Sequence, residues 1–162
     1  MASGVDKQPG NWVRARARRL LDRRGRDTAW WTPEVRAAGA VRETLNELRR
    51  EGYFVMHDIE HGREGTFDHV VCGPTGVYVV KTKARRYLER DLHTATRQAT
   101  HLAQELGVWV TPVICVHEGA DASPHRKERV WIVPHESLLE WIQGQSNQTL
   151  PLDAFARFAG RL

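Results

Sequence analysis

The sequence predicts an α/β domain: a mixed β-sheet with helices on both faces, preceded by a basic arm. Three observations carry this. Short apolar runs of strand length alternate with longer segments whose apolar residues recur at helical spacing. Thr66 to Lys83, TFDHVVCGPTGVYVVKTK, reads as two strands joined by a Gly-Pro-Thr-Gly turn. The segment between Lys83 and Val108 is long enough for a helical crossover, which makes the strands on either side of it parallel. At 162 residues the chain fits one domain with an appendage. The expected division is an arm over 1–28, a core over 29–145 and a C-terminal helix packing on that core over 146–162.

Residues 1–10 are small and polar and hold no element. Asn11–Arg24 has a helical stripe of Val13, Ala17, Leu20 and Leu21, with arginine elsewhere. Trp12, Trp30 and Trp31 flank it as packing anchors. Thr32-Pro33-Glu34 starts a helix through Glu51: a cap, a proline at the first position, and an acid at the positive end of the dipole. Ala38, Val41, Leu45 and Leu48 are its core stripe, and Gly52 stops it. Tyr53–Ile59 is a strand and Glu60–Gly65 a turn. Asp91 caps a helix to Leu106 with Leu92, Ala95, Ala99 and Leu102 inward. Val108–Val116 is a buried strand in which Pro112 marks a bulge or an edge. Glu118–Glu128 is a polar loop, Arg129–Val133 a strand, His135–Gln143 a helix. A last helix carries Phe155, Phe158 and Leu162.

The charge is uneven. The net of +4 comes from 24 basic and 20 acidic residues. Residues 1–28 hold eight basic and three acidic residues, so the arm carries the whole excess. Arg14, Arg16, Arg18, Arg19, Arg23 and Arg24 suit bidentate contact with phosphate; the competing reading is a solvated helix docked by Leu20 and Leu21. No apolar run reaches 18 residues, so no membrane-spanning helix is expected, and the polar N-terminus lacks a secretory h-region. Cys72 and Cys115 sit in apolar runs with no zinc-type spacing and read as reduced core thiols. A cytoplasmic protein is the expectation.

The hairpin carries the chemistry. Alternation puts Asp68, Val70 and Cys72 on one side, and Val77, Val79, Lys81 and Lys83 on one side of the next strand. A matching register then brings one carboxylate and two ammonium groups to one end of the hairpin. The apolar run VYVV stopping abruptly in KTK suggests a core strand entering a polar cleft.

The helix Pro33–Glu51, the strand YFVMHDIE, the hairpin FDHVVCGPTGVYVV and the closing KTK together resemble the nuclease-related domain (NERD) family of the PD-(D/E)XK nuclease superfamily. The resemblance runs from Trp31 to Gly107 and is firmest over Tyr53–Lys83. It implies a restriction-endonuclease-like fold acting on DNA or another nucleic acid. It also implies a Mg²⁺ or Mn²⁺ site in which Asp68 is a metal ligand and Lys83 positions water. The second acid of the pattern falls on residue 81, which is Lys81. Glu34, Glu43 and Asp58 are the acids that could replace it. Gln98, on the following helix, is a candidate for touching phosphate or water. Lys81, Lys83, Arg85 and Arg86 join the arm as candidate phosphate contacts.

Three readings follow: a weakly active or non-catalytic nucleic-acid binder, an active endonuclease with a displaced carboxylate, and a protein-interaction adaptor. His57, Asp58, His61, Glu64 and His69 also collect around one turn. His57 and His61 share no helical face and no supporting groups are readable, so this region is read as a polar turn rather than a zinc site.

Overall fold

The first described helix, α1 (Pro33–Asn46), begins as its sequence requires: the Thr32 hydroxyl accepts from the Val35 N–H at 3.3 Å, and Pro33 occupies the first turn. The computed structural model describes residues 32–119 and 123–160. The basic arm with its expected Asn11–Arg24 helix, Trp12, Trp30, Trp31 and Leu162 lie outside the described residues.

A 3-10 turn (Glu47–Glu51) that buries Leu48 follows α1, and Gly52 ends it. Then come β1 (Phe54–His61), β2 (Gly65–Gly73), β3 (Gly76–Lys83), α2 (Glu89–Leu106), β4 (Val110–Val116), β5 (His125–Lys127), β6 (Val130–Pro134), α3 (Leu138–Gln143) and α4 (Leu152–Ala159). The described strands form a single mixed sheet in the order β1-β2-β3-β4-β6-β5. β1, β2 and β3 form an antiparallel meander, β3, β4 and β6 are parallel, and β5 returns antiparallel to β6. The α2 crossover therefore makes β3 and β4 parallel, as its length requires.

Each face of the sheet buries its own core. On one, Val41 and Leu45 of α1 and Leu138, Trp141 and Ile142 of α3 cover Tyr78, Val80, Val113 and Cys115. On the other, Ala99 and Leu102 of α2 and Phe155 of α4 cover Val70, Cys72, Val77 and Val79. Phe54 meets Phe155 edge-on with ring centroids 5.3 Å apart. Cys72 and Cys115 are buried free thiols, and burial raises the pKa of both. No described helix is long and apolar enough to cross a membrane.

Several elements depart from the sequence reading. β1 runs on to His61 instead of ending at Ile59, because its ladder with β2 continues to the His61–Gly65 pair. Asp91 does not occupy the cap position. α2 starts at Glu89, and the Asp91 carboxylate reaches back to accept the Leu88 N–H at 2.7 Å. The loop after Val116 contains the short strand β5, which three polar residues cannot signal by alternation. Pro112 sits inside β4 rather than on an edge strand, yet pairing with β6 begins only at Val113, so on that side the strand is locally an edge.

The β2–β3 turn is fastened at its tip. The Thr75 hydroxyl lies 2.9 Å from the Tyr53 hydroxyl and 3.0 Å from that of Tyr78, and donates to the Ile142 carbonyl at 2.8 Å. Gly76 takes φ +144°, which favours glycine. At Gly73 the constraint is a close approach: a Cβ there would stand 2.1 Å from a carbon of the Tyr53 ring. Gly73→Ala is therefore expected to lower stability by about 1–3 kcal/mol, the usual cost of overpacking a filled core. Urea denaturation measures it, and an unchanged midpoint would show that the ring gives way freely.

Candidate functional site

Parity along β3 sets which side chain faces which helix. Val77 and Val79 pack towards α2, and Tyr78 and Val80 towards α1. Lys81 and Lys83 share the first parity, and Thr82 the second.

Asp68 lies near the start of β2 and is 8 % exposed. Its Oδ2 accepts the Thr82 N–H at 3.0 Å. The β2–β3 register pairs His69 with Val80, so one further step sets Asp68 beside Lys81. Lys83 Nζ lies 3.6 Å from Asp91 Oδ2, the same oxygen that accepts the Leu88 N–H. One end of the hairpin thus holds Asp68 and both lysines, with Asp91 of α2 against Lys83. Arg85 and Arg86 follow at once and are exposed. The Arg85–Glu118 pair at 3.4 Å is also exposed and so contributes at most about 1 kcal/mol.

Behind Asp68, on the α1 face, runs a polar relay that was not read as a unit from the sequence. His57 Nε2 lies 2.7 Å from Asn46 Oδ1, His57 Nδ1 lies 2.7 Å from His69 Nδ1, and His69 Nε2 lies 2.9 Å from the Thr82 hydroxyl. One assignment of protons fits these three contacts. His57 donates from Nε2 to Asn46, His69 donates from Nδ1 to His57, and Thr82 donates to His69 Nε2. His57 is then neutral. Burial, followed by the neighbouring His69, Arg42 and Arg49, drives the pKa of His57 down to about 2, in keeping with this assignment. Thr82 joins the relay to Asp68, since its hydroxyl bonds His69 and its backbone N–H bonds the Asp68 carboxylate. The strand parity of His69 opposite to Asp68 was the available signal.

Glu34 and Glu43 are exposed on α1. Asp58 stands opposite Asp68 by the β1–β2 register but adopts φ +48°. Asp58 and Glu43 both act on Arg42, a buried guanidinium whose pKa burial lowers to about 10 against their opposing pull. Gln98 is 2 % exposed, and its amide donates to the carbonyls of Glu64 (3.0 Å) and Thr66 (3.2 Å). It fastens the β1–β2 turn and has no N–H left over for phosphate in this arrangement. His57, Asp58, His61, Glu64 and His69 do not converge: Glu64 pairs with Arg97 at 2.7 Å, and His61 turns to α2.

The crystal structure of a repair endonuclease from Pyrococcus abyssi is similar to this chain, with 18% identity and a TM-score of 0.42 over 68% of this chain and 45% of that one. The chain thus spans under half the length of that protein. No curated protein matches it. The model of the nuclease-related domain family matches residues 34–117, slightly over half the sequence, a span running from α1 through the hairpin and α2 to the end of β4. The chain belongs to the nuclease-related domain family.

Proposed function

We propose that this domain binds nucleic acid at the Asp68 end of the β2–β3 hairpin and cleaves it weakly or not at all. The observation that carries the reading is Lys81, an ammonium in register with Asp68 where the family pattern asks for a second acid. A hard divalent cation such as Mg²⁺ takes oxygen ligands, usually one or two carboxylates with water and phosphate. The donor set here does not fit it. Asp68 already accepts from Thr82, Asp91 is committed to Leu88 and Lys83, and position 81 adds a like charge. Lys81, Lys83, Arg85 and Arg86 instead suit successive phosphates, with Arg14, Arg16, Arg18, Arg19, Arg23 and Arg24 of the arm as further contacts.

Salt titration tests the binding. Four phosphate contacts from the hairpin end alone predict that affinity of the full chain for a labelled duplex falls about 100-fold between 50 and 200 mM salt. Fluorescence anisotropy reads it, and affinity that holds constant over that range rejects the proposal.

A second reading, an active Mg²⁺- or Mn²⁺-dependent endonuclease, is favoured by Asp58, which the register sets opposite Asp68. Incubation of supercoiled and linear DNA with either ion separates the two. Intact DNA supports the binder, while cutting that Asp68→Asn abolishes supports the enzyme.

A further inference from the structure

Away from the hairpin end, α2 grips the β1–β2 turn along one stripe. Arg97 Nε donates to Glu64 Oε2 at 2.7 Å, and one turn later His101 and Glu105 reach His61. His61 Nε2 lies 3.1 Å from Glu105 Oε1, and His101 Nε2 lies 2.6 Å from the same oxygen. One ligand atom from each of the three lies within 4.8 Å of the others. The imidazoles of His61 and His101 meet edge-on with centroids 4.6 Å apart.

We propose that His61, His101 and Glu105 form a binding site for a zinc-class divalent cation, separate from the Asp68 end. The chemistry of the donors selects the ion. Two imidazole nitrogens and one carboxylate suit zinc and its borderline-soft neighbours, whereas Mg²⁺ prefers oxygen alone. Geometry agrees. Ligands about 2.0–2.2 Å from a tetrahedral ion stand roughly 3.3–3.6 Å from one another; the His61–Glu105 edge of 3.1 Å is close to that, and the His101–Glu105 edge of 2.6 Å, a short hydrogen bond, would open by about 0.7–1 Å to admit the ion.

The three ligands sit on preformed elements. His101 and Glu105 are one helical turn apart on α2, and His61 ends β1. The His61 ring stacks on Phe67, centroids 5.5 Å apart, and Phe67 is 1 % exposed, so the ring is held by packing. His61 Nδ1 is buried with no hydrogen-bond partner among the described residues. The ring is thus fixed by packing on Phe67 rather than by a hydrogen bond at Nδ1, and it presents Nε2 to Glu105. Access is open: the side chains of His101 and Glu105 are about a third exposed, at 33% and 31%. Water can therefore complete the coordination as a fourth ligand. Arg97, one turn before His101 on α2, is already matched by Glu64. The contrast with Asp68, which has an ammonium in register, is direct. An ion here would tie the end of β1 and the turn leading into β2 to α2.

The test is calorimetry of the full chain with zinc chloride, beside cobalt(II) as a visible-absorption probe. The expected result is one zinc equivalent per chain, a cobalt spectrum of tetrahedral type, and no competition from Mg²⁺. His101→Ala and Glu105→Gln should each weaken zinc by more than the 10–100-fold that loss of a supporting group costs, as expected for direct ligands. His93→Ala, an exposed histidine on the same helix, should leave affinity unchanged. Circular dichroism checks that each variant is folded, and Glu105→Gln keeps the side-chain shape should His101→Ala disturb the helix. Absence of zinc binding overturns the proposal. So does equal affinity in the unsubstituted chain and both ligand variants, or a loss in His93→Ala as large as theirs.

Discussion

Replacing Lys81 by glutamate is expected to tighten Mn²⁺ or Mg²⁺ binding by about 100-fold or more and to weaken DNA binding at the same time. The estimate is electrostatic. At about 5 Å and an effective dielectric near 20, one charge contributes roughly 3 kcal/mol, and Lys81→Glu changes the local charge by two. Solvent screening of this partly exposed position removes a good part of that, which leaves the two orders of magnitude stated. The register sets residue 81 beside Asp68, so a second carboxylate would lie where a shared ion could meet both. The loss of one phosphate contact should also reduce the salt slope of DNA binding by about 1. Calorimetry with Mn²⁺ and anisotropy with DNA read the two effects. If metal affinity stays where it is, Lys81 does not face Asp68 and the proposed reason for weak cleavage collapses.

The second large effect is acid sensitivity. His57 has an ordinary pKa of 6.5 and is driven to about 2 in the fold, by burial first and then by His69, Arg42 and Arg49. The unfolded chain therefore takes up a proton near pH 6.5 that the folded chain refuses. Between those values the unfolded state binds more protons, so stability falls as pH falls, by about 1.4 kcal/mol per pH unit. His135 is shifted in the same direction, by burial and by His117, and steepens the trend. Urea denaturation at pH 7.5, 6.5, 5.5 and 5.0 measures the slope before most carboxylates titrate. His57→Gln removes the titrating group and keeps an amide that can bond Asn46. Its slope should be shallower by close to one proton. A slope equal to that of the unsubstituted chain would mean that His57 is protonated in the folded state and that the relay to Thr82 is ordered otherwise.

Much of the architecture could be read in advance, for local reasons. The Thr32 cap, the Gly-Pro-Thr-Gly turn and the apolar runs of β3 and β4 each express a preference settled within a few residues. The length of the α2 crossover decided that β3 and β4 run parallel. Where reading failed, the missing information lay elsewhere in the chain. β5 is a strand because β6 offers it an edge, and nothing in His-Arg-Lys announces that. Gln98 looks like any helical glutamine until the β1–β2 turn closes over it and consumes both its amide hydrogens.

The sequence by itself determined the ingredients of the hairpin end: one acid, two lysines two residues apart, and a strand period that places those lysines on one side. Only the tertiary structure decided their partners. Asp91 reaches Lys83 because the crossover helix starts beside the end of β3, and Asp58, opposite Asp68 by register, lies instead in the field of Arg42. The same holds for His61, His101 and Glu105, which lie up to 44 residues apart in the chain and meet because α2 packs along the β1–β2 turn. Side-chain period is a local property of the backbone. Charge pairing and ligand geometry act through space over a few ångströms, and only the packed sheet and helices bring distant residues that close.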